Sequence, residues 1–210
     1  MKAWSTWFND VIPSVPGCGT DLVTHELRRA AQDFFAKSLA WGVILDAVSV
    51  GIAESEVEVL PDDQQQTIVR IDYSAWGGYE LGVRTSELMQ EAYGPDWMDQ
   101  TGTPSDITQL MERTVRLVPS PTVAGSLRCR CKVKPSDTST GLPDALAFQY
   151  RDAIAEGAKA RLMLMPKKPW TDAALAAVAQ MKFDAAINTA KSASFRAFGR
   201  ARTAAKPVWC

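Results

Sequence analysis

Acid–base chemistry near neutral pH is best served by histidine, and this 210-residue chain has one, His25. It falls within a predicted helix, where a lone histidine is expected to be a surface or interface residue rather than a general base. Four cysteines are present. Cys129 and Cys131 are one residue apart, so both side chains point to the same face of a strand. That spacing lacks the two-residue gap of zinc knuckles and redox motifs. Cys18 and Cys210 are far from this pair, and all four are assigned structural roles. Glu54, Glu56 and Glu58 alternate with Ser55, Val57 and Val59, which points three carboxylates to one side of a strand. The cluster could imitate a metal site, but no histidine accompanies it. Its readings are the lining of a channel, a dock for a basic partner, or a solvated edge strand whose charges prevent aggregation. No glycine-rich phosphate loop follows a strand, and no serine lies in a nucleophile-elbow pattern. The missing catalytic set favours a binding or structural role over an enzyme, with no cofactor and no metal.

Hydrophobic residues make up 46% and charged residues 22% of the chain, the balance of an ordinary folded protein. The net charge of −1 gives the whole molecule no electrostatic address, but the charge is unevenly placed. Asp46 to Asp63 holds six acids and no base; Ala185 to Cys210 holds five bases and no acid. Within the latter, Arg196, Arg200, Arg202 and Lys206 mark a basic tail. It is either a solvated terminus or an arm that orders on an acidic surface of a partner or a neighbouring subunit. No apolar run reaches the roughly 18 residues that span a bilayer. Met1 to Trp7 lacks the apolar core of a signal peptide, so synthesis in a cytoplasm is expected.

These groups need elements to hold them. Residues 4–12 read as a short amphipathic segment stopped by Pro13 and Pro16-Gly17. Val23, Leu27, Ala30 and Phe34 recur at three- and four-residue steps, one face of a helix opened by Thr20 as N-cap. The period then drops to two. A strand at 54–59 is expected to turn at Pro61–Gln64 and return as 67–73, followed by a hairpin at Gly77-Gly78. Ser86 caps a short helix, and strands follow at 107–111, 114–118 and 127–133. From Pro143 a helix of about 22 residues runs to Met165, and a second, capped by Thr171, packs antiparallel to it. The predicted fold is α+β: a helical bundle, made of the N-terminal helix and a C-terminal antiparallel hairpin, with an inserted β-rich lobe. The expected segments are 1–45, N-terminal segment and first bundle helix; 46–141, β-rich lobe with a short helix; 142–198, helical hairpin; and 199–210, basic tail.

Four stretches, in order, resemble one family. They are Trp7-Phe8, Val11, Pro13 and Val15-Pro16-Gly17-Cys18, followed by Leu27-Arg28-Arg29-Ala30-Ala31 and Phe34-Phe35; Tyr93-Gly94-Pro95-Asp96-Trp97 with Thr101-Gly102-Thr103-Pro104; Val115-Arg116-Leu117-Val118-Pro119 with Pro121; and Leu142-Pro143 through Tyr150-Arg151, Ala153-Ile154, Gly157-Ala158 and Ala160-Arg161-Leu162 to Met165-Pro166 and Lys168-Pro169-Trp170. Together they resemble the head-to-tail adaptor (connector) proteins of tailed bacteriophages, especially short-tailed ones, over residues 7 to 190. The resemblance implies a virion protein of the neck, usually a dodecameric ring beneath the portal, and a helical bundle carrying a β-lobe. Such a ring extends the channel for packaged and ejected DNA and docks the next tail component. The implied partners are the portal protein, neighbouring copies of the chain, a downstream tail or nozzle protein, and tail fibres. Viral DNA would pass without sequence-specific contact, and no membrane is involved. The resemblance carries no catalytic residues. Alternative readings are another neck, tail-completion or fibre-docking protein, or a DNA-binding accessory protein that uses the basic tail.

Overall fold

The structure, a computed structural model, describes residues 1–59 and 65–196. The chain opens with β1 (Lys2–Ala3), α1 (Phe8–Val11) and α2 (Thr20–Ser38), then enters the strands β2 (Gly42–Ile44), β3 (Val48–Val50), β4 (Glu56–Glu58), β5 (Gln66–Trp76) and β6 (Tyr79–Val83). After α3 (Ser86–Tyr93) come β7 (Thr101–Gly102), β8 (Asp106–Gln109), β9 (Thr114–Val118), β10 (Ser120–Pro121), β11 (Gly125–Pro135) and β12 (Gly141–Leu142). Helices α4 (Asp144–Gln149), α5 (Arg151–Met163) and α6 (Ala173–Arg196) complete it.

Eight strands form one sheet in the order β2-β11-β5-β6-β8-β9-β4, with β3 beside β2 on the same edge of β11. Its longest members, β5 and β11, have 11 residues each and pair antiparallel from Leu127↔Trp76 to Pro135↔Gln66. Along β11 the buried residues Leu127, Cys129, Cys131 and Val133 alternate with outward ones. That apolar row must be covered, and α2 covers it. On its other side α2 packs against α5 and α6. Phe34 and Phe35 both pack against Tyr150 and from there reach different neighbours. The Phe34 ring lies 4.8 Å from Tyr150 and 6.1 Å from Phe183; the Phe35 ring lies 5.3 Å from Trp41.

This arrangement corrects the predicted fold. The sheet is not a lobe inserted into a helical bundle. It is the body on which the helices lie, because side chains of α2, α5, α6, β5, β9 and β11 belong to one continuous hydrophobic core. The pairing of the acidic strand is corrected too. β4 pairs with β9, Glu56 opposite Arg116, and not with the strand that follows it in sequence. The turn assigned to Pro61–Gln64 lies outside the described residues. The Gly77-Gly78 hairpin joins β5 to β6, both glycines at positive φ. β6 and β8 run parallel, which requires a crossover, and α3 with the following loop supplies it.

The single helix expected from Pro143 to Met165 is two. At Tyr150, φ −116° and ψ 17° break the α geometry between α4 and α5. The break coincides with two demands: the Tyr150 ring sits against Phe34 and Phe35, and the Arg151 carbonyl accepts a hydrogen bond from the Trp7 indole at 3.1 Å. Caps shift by a residue from their expected places. Gly19 precedes α2, Thr85 caps α3, and the Asp172 carboxylate accepts from the Ala174 and Leu175 amides at 3.0 Å ahead of α6. Trp4, Trp76 and Trp97 are buried within the chain, whereas Trp170 packs half-buried against the core.

α5 and α6 approach closely at Gly157, where an added Cβ would lie 2.6 Å from the Phe183 ring. Gly157→Val is therefore expected to overpack this contact and cost about 1–3 kcal/mol. Thermal unfolding followed by circular dichroism checks it; an unchanged midpoint would show that the two helices can part freely.

Candidate functional site

The charged surfaces are the site candidates, and the structure sorts them by which charges are already matched. Among the expected acidic trio, Glu56 and Glu58 are exposed on the edge strand β4, on either side of buried Val57. Glu56 accepts from Arg116 Nη1 at 2.6 Å. Glu54 precedes the strand and turns back, accepting the Gly51 amide at 2.6 Å. The three carboxylates therefore do not form one row: Glu58 has no such partner among the described residues, Glu56 is paired with Arg116, and Glu54 closes a turn. Of the basic tail, Arg196 is the last residue of α6, and Arg200, Arg202 and Lys206 lie outside the described residues. His25 Nδ1 lies 3.1 Å from Glu26, itself buried and near Arg29 and Arg161. This group ties α2 to α5 and offers no nucleophile to activate.

A second charged row, not singled out in the sequence, runs along the outward side of β11. Arg128, Arg130, Lys132 and Lys134 alternate with the buried residues, in the stretch Arg-Cys-Arg-Cys-Lys-Val-Lys. Lys132 has Asp72 at 3.6 Å and Lys134 has Glu112 at 3.2 Å. Arg128 and Arg130 have no carboxylate partner among the described residues. Arg130 instead lies 5.7 Å over the Tyr73 ring, a cation–π contact. Across the pairing register Ile44 stands opposite Arg130 on β2, and its side chain is 71% exposed. Ile44, Arg130 and Tyr73 thus make one row across the sheet. Arginine and tyrosine beside an exposed aliphatic residue is the composition of an interface centre. Its signal in the sequence is the base at every second residue from Arg128 to Lys134.

The opposite charge gathers around α3. Glu87 and Glu91 are exposed one turn apart, and exposed Asp96 and Asp99 follow in the next loop. No base occurs between Thr85 and Glu112. The exposed apolar residues Leu88 and Met98 lie among these acids. The platform beneath is tied together by hydrogen bonds. Buried Asp106 accepts from Arg84 Nε at 2.6 Å and from the hydroxyls of Tyr93 and Ser105. Burial first, and the Asp106 carboxylate second, push the Tyr93 hydroxyl pKa above its ordinary value. Gly82 leaves room for this carboxylate, since a Cβ there would collide with Asp106.

Apolar surface is the third component. One side of α6 buries Ala176, Ala179, Phe183, Ile187 and Ala190. The opposite side exposes Leu175, Val178 and Met181, and Phe148 on α4 is 90% exposed. A helix with apolar residues on opposite faces is suited to contacts on both. A cleft of about 620 Å³ lies between β5 and the start of α3. Its two arginines are already paired, Arg70 with Asp72 at 2.8 Å and Arg84 with Asp106, so it presents no free cation to an anionic ligand. Among the described residues no three His, Cys, Asp or Glu side chains gather as a metal site, and no helix is long and apolar enough to cross a membrane.

The family model described as SU10 adaptor protein matches residues 5–205. No curated protein matches the chain.

The paired cysteines are inert by placement. Burial pushes the Cys129 thiol up to about 11; burial, with Cys129 and Asp72 nearby, pushes Cys131 up to about 12. Since the ordinary value is 9.0, the unfolded chain loses these protons first as pH rises. Their contribution to stability is complete below pH 9.0 and is lost between there and about 12. In native protein at about pH 8, iodoacetamide should leave Cys129 and Cys131 unlabelled and modify both after unfolding. Peptide mass spectrometry reads the outcome, and native labelling at the rate of a free thiol would contradict it.

Proposed function

The chain belongs to the SU10 adaptor protein family, and from that premise we propose that this phage adaptor protein forms a ring beneath the portal in the virion neck. The match across residues 5–205 carries this reading. The ring extends the DNA channel and docks the next tail component, a downstream tail or nozzle protein or fibres. The protein is non-enzymatic. Its physical support is the amount of contact-ready surface: the outer α6 face, Phe148, and the unmatched arginines of β11. Within the ring, Arg196, Arg200, Arg202 and Lys206 serve as an arm that reaches an acidic surface of the portal or of a neighbouring copy. Glu54, Glu56 and Glu58 face the DNA path or a basic partner, with Glu58 the most available of the three.

The isolated subunit is expected to be monomeric or weakly associating at sub-micromolar concentration, where mass photometry reads its mass. Its cognate portal should convert it to a ring seen by electron microscopy. A stable closed ring without portal, or no binding to portal at all, would contradict the reading. Deletion of residues 199–210 should abolish neck assembly; normal assembly and infectivity would remove the arm from the account.

A further inference from the structure

Residues 46–112 hold 14 of the 24 acidic residues but only Arg70 and Arg84 of the 23 basic ones. That stretch is formally −12 and the rest of the chain +11, so the near-zero net charge hides two opposed parts. In the fold, the unmatched members of each part lie on different elements. Arg128 and Arg130 stand on β11, one strand in from the β2 edge; Glu87, Glu91, Asp96 and Asp99 lie on α3 and in the loop after it, within the crossover between β6 and β8. Neither group finds an oppositely charged partner among the described residues of its own chain.

We propose that the outer β11 face of one subunit, Arg128 and Arg130 with Tyr73 and Ile44, docks the acidic α3 surface of a second copy, Glu87, Glu91, Asp96 and Asp99 with Leu88 and Met98. The proposal rests on the ring reading above and names its subunit contact. Charge complementarity selects the occupant. A second copy supplies acids for the arginines and arginines for the acids, whereas DNA would satisfy the arginines and leave α3 unmatched. Both patches add exposed apolar residues to their charges, which a phosphate backbone would not use. Because the two patches differ, the contact is heterologous. Each copy uses one patch on each neighbour, the type of interface that closes into rings. Desolvated arginine beside an aromatic ring is a strong anchor at such a centre, while the surrounding charges set register and salt sensitivity.

The test is sedimentation velocity of the full chain at high concentration in low and high salt, with two charge-reversed variants. One is Arg128→Glu with Arg130→Glu; the other is Glu87→Lys with Glu91→Lys. All four positions are exposed, and circular dichroism confirms that each variant is folded. Wild type should associate in low salt and dissociate in high salt. The arginine variant alone faces like charge with like, the glutamate variant cancels its acidic patch, and association of each should weaken at least roughly tenfold. An equimolar mixture of the two variants should recover it, because each reversed patch meets a reversed partner. Wild-type protein that stays monomeric in low salt, variants that associate as wild type does, or a mixture that fails to recover would each overturn the contact. Should the arginine variant associate normally yet lose binding to double-stranded DNA, the face belongs to DNA instead. Closed rings of both variants on the portal would overturn this contact and leave the adaptor reading intact; failure of wild type to bind portal strikes the adaptor reading itself.

Discussion

Helix α2 has to be buried on two sides at once, and the architecture follows from this. Phe34 and Phe35 are adjacent in sequence and both fully buried, so no single covering layer can serve them. Phe34 reaches Tyr150 and Phe183 on the helical side, while Phe35 touches Tyr150 as well and reaches Trp41 at the start of the sheet. Each aromatic contact adds about 0.5–1.5 kcal/mol beyond simple burial. The ion pairs from Arg161 on α5 to Asp33 and Glu26 on α2 fix the rotation of the two helices. At its end α2 is held by Leu39 in a left-handed conformation, whose carbonyl accepts from Ser194 of α6 at 2.7 Å. One helix therefore joins both layers, and the outer faces of the sheet and of α6 are left for other molecules.

Local pattern made much of this legible. The α2 face, the Gly77-Gly78 hairpin and the strands β8, β9 and β11 follow from periodicity and turn chemistry within a dozen residues. The layout did not follow, because it depends on pairings that sequence order does not state. β4 joins β9 across almost 60 positions, while the nearest strand in sequence was the expected partner. β11 likewise pairs with β5 on one side and with β2 and β3 on the other, all of them distant in sequence. A β-rich middle between helices reads as an inserted lobe until it is known that α2 covers β11. The break at Tyr150 was hidden because Leu146, Tyr150 and Ile154 keep a four-residue step through it. What breaks the helix is tertiary: an aromatic docking site for Tyr150 and an indole for the next carbonyl.

Candidate surfaces were legible as charge and not as pairing. Glu54, Glu56 and Glu58 share a parity in sequence, yet one closes a turn and another is spent on Arg116. The β11 bases were written in plain alternation, but their meaning depends on which have a carboxylate within reach. Lys132 and Lys134 do; Arg128 and Arg130 do not. The same distinction makes α3 notable, since Glu87 and Glu91 stand on a crossover anchored by buried Asp106 and have no ion-pair partner among the described residues.

An adaptor in the virion neck is the central claim, and cryo-electron microscopy of the intact neck of the phage that encodes this chain tests it most directly. The account predicts a ring of this chain between portal and tail, with the β11 face of each copy against α3 of the next. Density for the chain elsewhere in the particle, or none in the virion, would contradict it.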